Sequence, residues 1–484
     1  MNTKTRRLLE IFEEISRIPR CSKNEEAIAR WFDAWARAKN FASRRDRVGN
    51  RLITVPATPG AEAAPAVVIQ GHLDMVCEKT PASTHDFTRD PIRIIHDGDW
   101  IHADETTLGA DNGVALALGK ALAEDDSLTR PALELLFTVD EETGLTGAKK
   151  LEQGFFRGRT LINLDSETEG VFTVGCAGGR DVTITRDLRF TAVPDEFRFA
   201  RLSVGGLCGG HSGIDIHRHR ANALKLLARI LGDMPDGDDT RLVEITGGTK
   251  RNAIPRDASA RVACAVGRLA EFRKRAAAAE NTFSREYAAE SSLFVSFTEE
   301  EGPTHGRKAI APQDARSTVD LLLALPHGVA QLSPDFSDLV LTSSNLAMAH
   351  TVESRLSVIT SQRSLNVPAL NAMSETARAI AALAGGQATT ESEYPPWTPQ
   401  LDSPLLQRCC EVYRGCYGQE PGVRAIHAGL ECAVIGDLCP DMDMISLGPT
   451  TENAHSPSER LHAPSLSHLW DFLGALLQSL SQAR

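Results

Sequence analysis

The chain has 484 residues, 24% of them charged and 42% apolar, and its 52 Lys and Arg against 64 Asp and Glu leave a formal charge of −12. That length asks for more than one hydrophobic core, and the composition is that of a soluble globular chain. No basic stripe points to a nucleic-acid partner, and no run nears the roughly 18 apolar residues of a membrane span.

Leu8, Leu9, Ile11, Phe12, Ile15 and Ile18 fall on one face of a predicted first helix, without the continuous apolar stretch and small-residue cleavage site of a signal peptide. The ten cysteines are scattered with no CxxC pairing, which predicts reduced, mostly buried thiols in a cytoplasmic protein. A second helix is predicted near 25–38 and a strand at Arg51–Val55.

The run VVIQ at 67–70 reads as a buried strand that delivers His72 and Asp74 just past its end. While the chain stays extended, both side chains point to one side, so one can bind a metal while the other orients it. Alone, the pair reads as well as a structural histidine beside a turn aspartate. The stretch TLGADNG, 107–113, opens a helix and places Asp111 or Asn112 where an N-cap would sit. Its glycine and alanine neighbours also allow close approach to something bound at Asp111. A strand at 132–139 ends in Asp140, Glu141 and Glu142, which need either a solvated turn or a cation. A strand at 160–164 ends in Asp165, and one at 442–447 leads to a loop carrying His455 before a last helix at 466–480.

His72, Asp111, Glu142, Asp165 and His455 thus lie at strand ends or a strand-to-helix entry, and a mostly parallel sheet gathers such ends on one edge. Between these halves, helices at 221–231, 269–279, 317–325 and 369–384 alternate with strands at 242–246, 260–266, 293–298, 340–343 and 357–360. The expected architecture is α/β, a catalytic domain made of 1–181 and 401–484 with an α+β domain inserted over 182–400.

Two histidines and three carboxylates suit a pair of borderline divalent ions. Two such ions bring four positive charges against three negative ones, leaving one for a bridging hydroxide, and the pair both acidifies that water and polarises a carbonyl. Glu141 faces away from Glu142 at the strand end and is the candidate general base.

HLDMV, GADNG, VDEETG, NLDSE, GGHSG and NAHSP, in this order and nearly end to end, resemble the M20 family of dinuclear zinc peptidases, and within it the aminoacyl-histidine dipeptidases. The resemblance implies a zinc-peptidase-like fold whose inserted domain is a lid. It also implies one zinc on His72, Asp111 and Asp165, a second on Asp111, Glu142 and His455, and a cis peptide between Asp111 and Asn112. Co²⁺ and Mn²⁺ are alternatives to Zn²⁺. By the same resemblance Asp111 bridges, Asp74 supports His72 and Glu141 is the base. His211 donates to the oxyanion, Asn252 contacts a substrate carbonyl or carboxylate, and Arg363 grips the C-terminal carboxylate. Gly429 and Glu431, in HAGLE at 427–431, belong to the substrate site; Glu431 reads either as an ammonium contact or as a helix N-terminal carboxylate. His217 and His219 lead into a helix among basic neighbours without carboxylates, and are not read as metal ligands.

The expected protein is a cytoplasmic metallopeptidase that hydrolyses unblocked dipeptides, preferentially Xaa-His including β-Ala-His, with a homodimer through the lid as a family expectation. The alternatives are another amidohydrolase on the same scaffold, such as a tripeptidase, carboxypeptidase or N-acyl amino acid deacylase, or an idle metal-binding protein.

Overall fold

Helix Thr3–Ser16 buries Leu8, Ile11, Phe12 and Ile15 along the expected face and packs on helix Ala110–Glu124. The structure is a computed structural model that describes residues 3–233, 239–300, 308–336 and 338–482. It divides into two compact units, one of Met1–Cys176, Trp397–Ala425 and Leu430–Arg484, the other of Ala177–Pro396 and Ile426–Gly429.

The first unit is built on an eight-stranded sheet in the order Ala42–Arg45, Arg51–Val55, Leu133–Thr138, Val67–His72, Thr160–Asn163, Asp443–Ser446, Val171–Cys176, Gly422–Ile426. Val67–His72 runs parallel to both its neighbours, and Asp443–Ser446 runs parallel to Thr160–Asn163. These four strands therefore end on one edge. Every residue of Val67–His72 and of Leu133–Thr138 is buried, which is why both are mostly apolar and neither alternates like a half-solvated strand.

The second unit is a nine-stranded antiparallel sheet with helices Ala223–Gly232, Leu269–Glu286, Pro312–Ala324 and Val367–Leu383. Leu224, Leu227, Ile245, Val262, Leu322 and Val358 meet in its main core. Two of its strands are far longer than the sequence pattern indicates: Val340–Val352 and Arg355–Ser364 form one hairpin with a left-handed Glu353 at its turn. Ser343, Ser344 and Asn345 are buried in the first, so the polar-apolar alternation that marks a half-solvated strand is absent.

The start of helix Ala110–Glu124 departs from the expected cap. Its N-cap is Gly109, at φ 69°, and Asp111 and Asn112 lie inside the helix bounds with non-helical angles on either side of a cis peptide bond. A side chain at Gly109 would meet the Arg20 guanidinium and the Met75 sulfur, both at 2.7 Å, so only glycine fits. Among the described residues no helix is long and apolar enough to cross a membrane.

The expectation of ten reduced thiols is corrected: Cys21 and Cys77 form a disulfide. The Met75 N–H donates to the Arg20 carbonyl at 3.1 Å and lays the two segments side by side, leaving the cysteines' Cα atoms 5.7 Å apart. With the two cysteines 56 positions apart, no local spacing signals the pair. Of the eight free cysteines, Cys176, Cys264, Cys409 and Cys432 are buried and Cys208 and Cys416 exposed. Denatured without reductant, the chain should titrate eight thiols, rising to ten after reduction. Ten at the outset would mean that the bridge does not form in the purified protein.

Candidate active site

His72 ends its strand, Asp165 follows Asn163 by two positions, and Glu141 and Glu142 follow the strand ending at Thr138, so all four arise on the shared edge. His455 comes from elsewhere. It sits in the loop between Thr451–Glu452 and Arg460–His462, a hairpin paired to strand Trp100–Ala103.

Asp111 is where the two histidines meet. The His72 Nε2 lies 3.0 Å from Asp111 Oδ1, and the His455 Nε2 lies 2.9 Å from Asp111 Oδ2. Asp165 Oδ1 is 3.5 Å from the same His72 nitrogen, and Glu142 Oε2 is 3.1 Å from the His455 nitrogen. The ligand atoms fall into two groups, His72 with Asp111 and Asp165, and Asp111 with Glu142 and His455, each within 4.8 Å. One carboxylate thus offers an oxygen to each group, the geometry of a bridging ligand for two cations. Glu142 Oε1 is buried without a hydrogen-bond partner, an open acceptor that a cation would satisfy.

The charges of these groups depend on one another. Burial works against a protonated His72, yet Asp111, Asp165 and Asp74 around it hold its pKa well above the ordinary value. Hydrogen bonds donated to Asp111 and Glu142 raise His455 to about 11. Asp111 is held far down by both histidines despite its burial. Burial pushes Asp165 to about 7 against the pull of His72, and pushes Glu141 well up, with Asp165, Glu142 and Glu431 adding to the rise. Two dications would replace the imidazolium charges and draw the carboxyls back to their ionised forms.

Asp74 organises the layer behind. Its carboxylate lies 3.3 Å from His72 Nδ1, accepts from Ser22 Oγ at 2.7 Å, and takes the backbone N–H groups of Glu141 and Glu142 at 3.0 and 3.2 Å. Holding Nδ1 leaves Nε2 as the ligand atom of His72. Burial would raise the Asp74 carboxyl, but these donors, His72 foremost, bring it to about 2.

Arg20 and Asn112 were not picked out as supports from the sequence. Arg20, 1% exposed, donates to the carbonyls of Leu73, Asp74 and Gly109, joining the His72 and Asp111 loops. Asn112 accepts the His72 N–H at 3.1 Å and donates to Asp165 Oδ1 at 2.9 Å. Nothing in IPRCS marks Arg20, because its partners are carbonyls 53 to 89 positions away. Glu431 is fully buried at the start of helix Glu431–Leu438, where Gln70 and Thr138 each donate to its Oε2 at 2.6 Å. These contacts fit the helix-terminal carboxylate, while its Oε1, buried without a hydrogen-bond partner, is open to an ammonium.

The remaining candidates lie in the second unit. His211 pairs with Ala253 across a two-residue ladder, and the Asn252 carbonyl accepts the Ser212 N–H at 2.8 Å. The His211 Nδ1 accepts from the N–H groups of Gly213 and Ile214 at 3.3 and 3.1 Å, which puts the proton of the neutral ring on Nε2. Arg363, 7% exposed, donates to the Tyr394 hydroxyl at 2.8 Å, and a side chain on Gly213 would lie 3.2 Å from Arg363. The His427 Nε2 is 2.7 Å from Ser343 Oγ, and burial with the nearby Arg363 lowers its pKa to about 3, so the ring is neutral. Gly429 packs against the Tyr394 ring, which a Cβ would approach to 2.9 Å. His211, Arg363, His427 and Gly429 thus share one neighbourhood, while the Asn252 side chain is exposed beside it.

The sequence matches Peptidase family M20/M25/M40 over residues 68–479. It is 37% identical over 473 residues to the cytosol non-specific dipeptidase of Escherichia coli (strain K12), spanning 98% of this chain and 97% of that one. The crystal structure of aminoacylhistidine dipeptidase from Vibrio alginolyticus superposes with a TM-score of 0.85 at 38% identity, covering 98% of this chain and 96% of that one. Aminopeptidase PepT from Bacillus cereus shares the fold, with a TM-score of 0.57 at 17% identity over 99% of each chain.

With His455 at about 11 and His72 also raised, both rings carry a proton at neutral pH when no metal is bound. A dication must displace these protons and re-ionise the raised carboxyls, so its affinity should fall as pH falls, and loading at pH 7.5 should release at least two protons. Calorimetric titration of Zn²⁺ in two buffers of different ionisation enthalpy measures the number. Identical heats in both would refute this charge assignment.

Proposed function

The chain belongs to Peptidase family M20/M25/M40, and from that premise we infer that it is a metal-dependent dipeptidase acting on unblocked dipeptides, Xaa-His among them. The observation that carries the reading is the Asp111 carboxylate with one histidine at each oxygen, and Glu141 within 4.8 Å of His72 and Glu142. His72, Asp111 and Asp165 would hold one ion and Asp111, Glu142 and His455 the other, Zn²⁺ by the nitrogen and oxygen donor set, with Co²⁺ or Mn²⁺ as alternatives. Such ions, when bound, polarise the scissile carbonyl and make water acidic enough to attack near neutral pH.

The protein's own groups then move the protons and hold the substrate. Glu141 takes the proton of the attacking water and returns it to the leaving amine, with its backbone fixed by Asp74. His211, protonated at Nε2, donates to the oxygen that becomes negative as the carbon turns tetrahedral. Arg363 pairs with the peptide carboxylate, Asn252 contacts the substrate's carbonyl or carboxylate, and Gly429 lets the backbone approach it. Glu431 backs the strand ends through Gln70 and Thr138.

The two relatives share dipeptides and differ in breadth, one named non-specific and the other aminoacylhistidine. A broad dipeptide range is therefore the second reading, favoured by the Escherichia coli relative. That relative also supports a cytosolic location. Association of two copies through the inserted unit belongs to the same reading and is open to sedimentation analysis.

Metal-stripped protein reloaded with Zn²⁺, Mn²⁺ or Co²⁺ should cleave β-Ala-His, Gly-His and Ala-Leu, but not an N-acetylated dipeptide. Preference for Xaa-His separates the narrow reading from the broad one, and cleavage of the acetylated substrate alone would overturn both. Glu141→Gln should keep its metal and lose on the order of 10²–10⁴-fold in kcat. His211→Ala should lose roughly 10²–10³-fold in kcat at unchanged metal content, and an unaltered kcat would remove it from the oxyanion role.

A further inference from the structure

Glu459 lies four positions beyond His455, in the same hairpin loop, and is 2% exposed. Its carboxylate spends both oxygens on the backbone that carries Asp111. Oε2 accepts the N–H groups of Leu108 and Gly109 at 2.8 and 2.9 Å, and Oε1 accepts those of Ala110 and Asp111 at 2.8 and 3.3 Å. The last three belong to the helix start, which leaves such groups without partners, and the local cap, Gly109, has no side chain to take any of them. A serine or aspartate at the cap would reach one donor, at Asp111 or Asn112, from within the same turn. Here the anion comes from about 350 positions away, a separation of 349 for Ala110, and the same contact fastens two loops to each other.

Both loops need fastening. His455 is 53% exposed in its side chain and has left-handed backbone at φ 63°, as Asn453 has at φ 57°. Such residues keep their conformation only where the surroundings impose it. Within the loop, the Glu459 N–H donates to the Ser456 carbonyl at 3.0 Å, so the anchored glutamate closes the turn that presents His455. His72 has Asp74 and Asn112 behind it, and Asp111 is also held through Arg20 at Gly109. Among the described residues no buried side chain plays that part for His455, and the fixed reference is the Glu459 carboxylate.

We propose that Glu459 is a positioning residue that sets His455 against Asp111, and thereby the affinity of the metal site they share with Glu142. It rests on the assignment of those three residues as metal ligands. It predicts an asymmetry: the ion on Asp111, Glu142 and His455 depends on Glu459 more than the ion on His72, Asp111 and Asp165.

The test is Zn²⁺ binding, by competition with a chromophoric chelator and by metal analysis after dialysis, on the full chain and on Glu459→Gln and Glu459→Asp. The glutamine keeps one oxygen for two of the N–H groups and turns an amide donor on the others; the aspartate keeps the charge but falls short. Expected is a stepwise titration in which one ion weakens about 10- to 100-fold and the other much less, with far-UV circular dichroism unchanged and turnover restored by excess Zn²⁺. Both affinities staying within about twofold of the unsubstituted chain, well short of that range, would overturn the proposal, as would equal weakening of both ions or failure of both variants to fold. An unsubstituted chain that binds one ion or none overturns the two-metal reading itself, and this is read before any variant is made.

Discussion

The carboxylate of Asp111 is the constraint on which the rest of the site depends. Its two oxygens face two histidine nitrogens at 3.0 and 2.9 Å, and each nitrogen has one further carboxylate near it. Placing this much like charge in a buried pocket is unfavourable unless cations stand among the oxygens, whether imidazolium protons or metal ions. A fold that keeps such a pocket has to hold every ligand by something other than its own preference.

The structure supplies that hold mostly through backbone. Asp74 gathers the N–H groups of Glu141 and Glu142, Arg20 gathers the carbonyls of Leu73, Asp74 and Gly109, and Glu459 gathers four consecutive N–H groups. A buried ion that bonds several backbone groups is satisfied in its own right, and it also fixes the path of the loop it touches. The parallel strands bring the loops to one edge; the buried ions set them to the tenths of an ångström that ligation needs.

The second unit uses polar groups for a different end. His211 is fixed as a donor at Nε2 because two backbone N–H groups occupy Nδ1, and His427 is kept neutral by burial beside Arg363. With the His427 ring neutral, the positive charge of this neighbourhood rests on Arg363. The neighbourhood is therefore chemically suited to a carboxylate and a developing oxyanion.

Much of this was legible in the chain. Buried parallel strands are short apolar runs, and the ligands follow them within a few residues, so His72, Glu141, Glu142 and Asp165 could be placed at strand ends from local pattern alone. Asp111 and His455 joined them from a strand-to-helix entry and a late loop, and the resemblance carried by GADNG and NAHSP implied which ion each would hold. What local pattern could not carry were contacts made across long stretches of chain: the bridge from Cys21 to Cys77, the Arg20 carbonyl clasp, the Glu459 anchor and the burial of Glu431 between Gln70 and Thr138. Periodicity reports only which face of an element is dry. Which distant backbone a buried charge will satisfy, and hence whether two loops lock together, is decided when the sheet order brings them within hydrogen-bond reach.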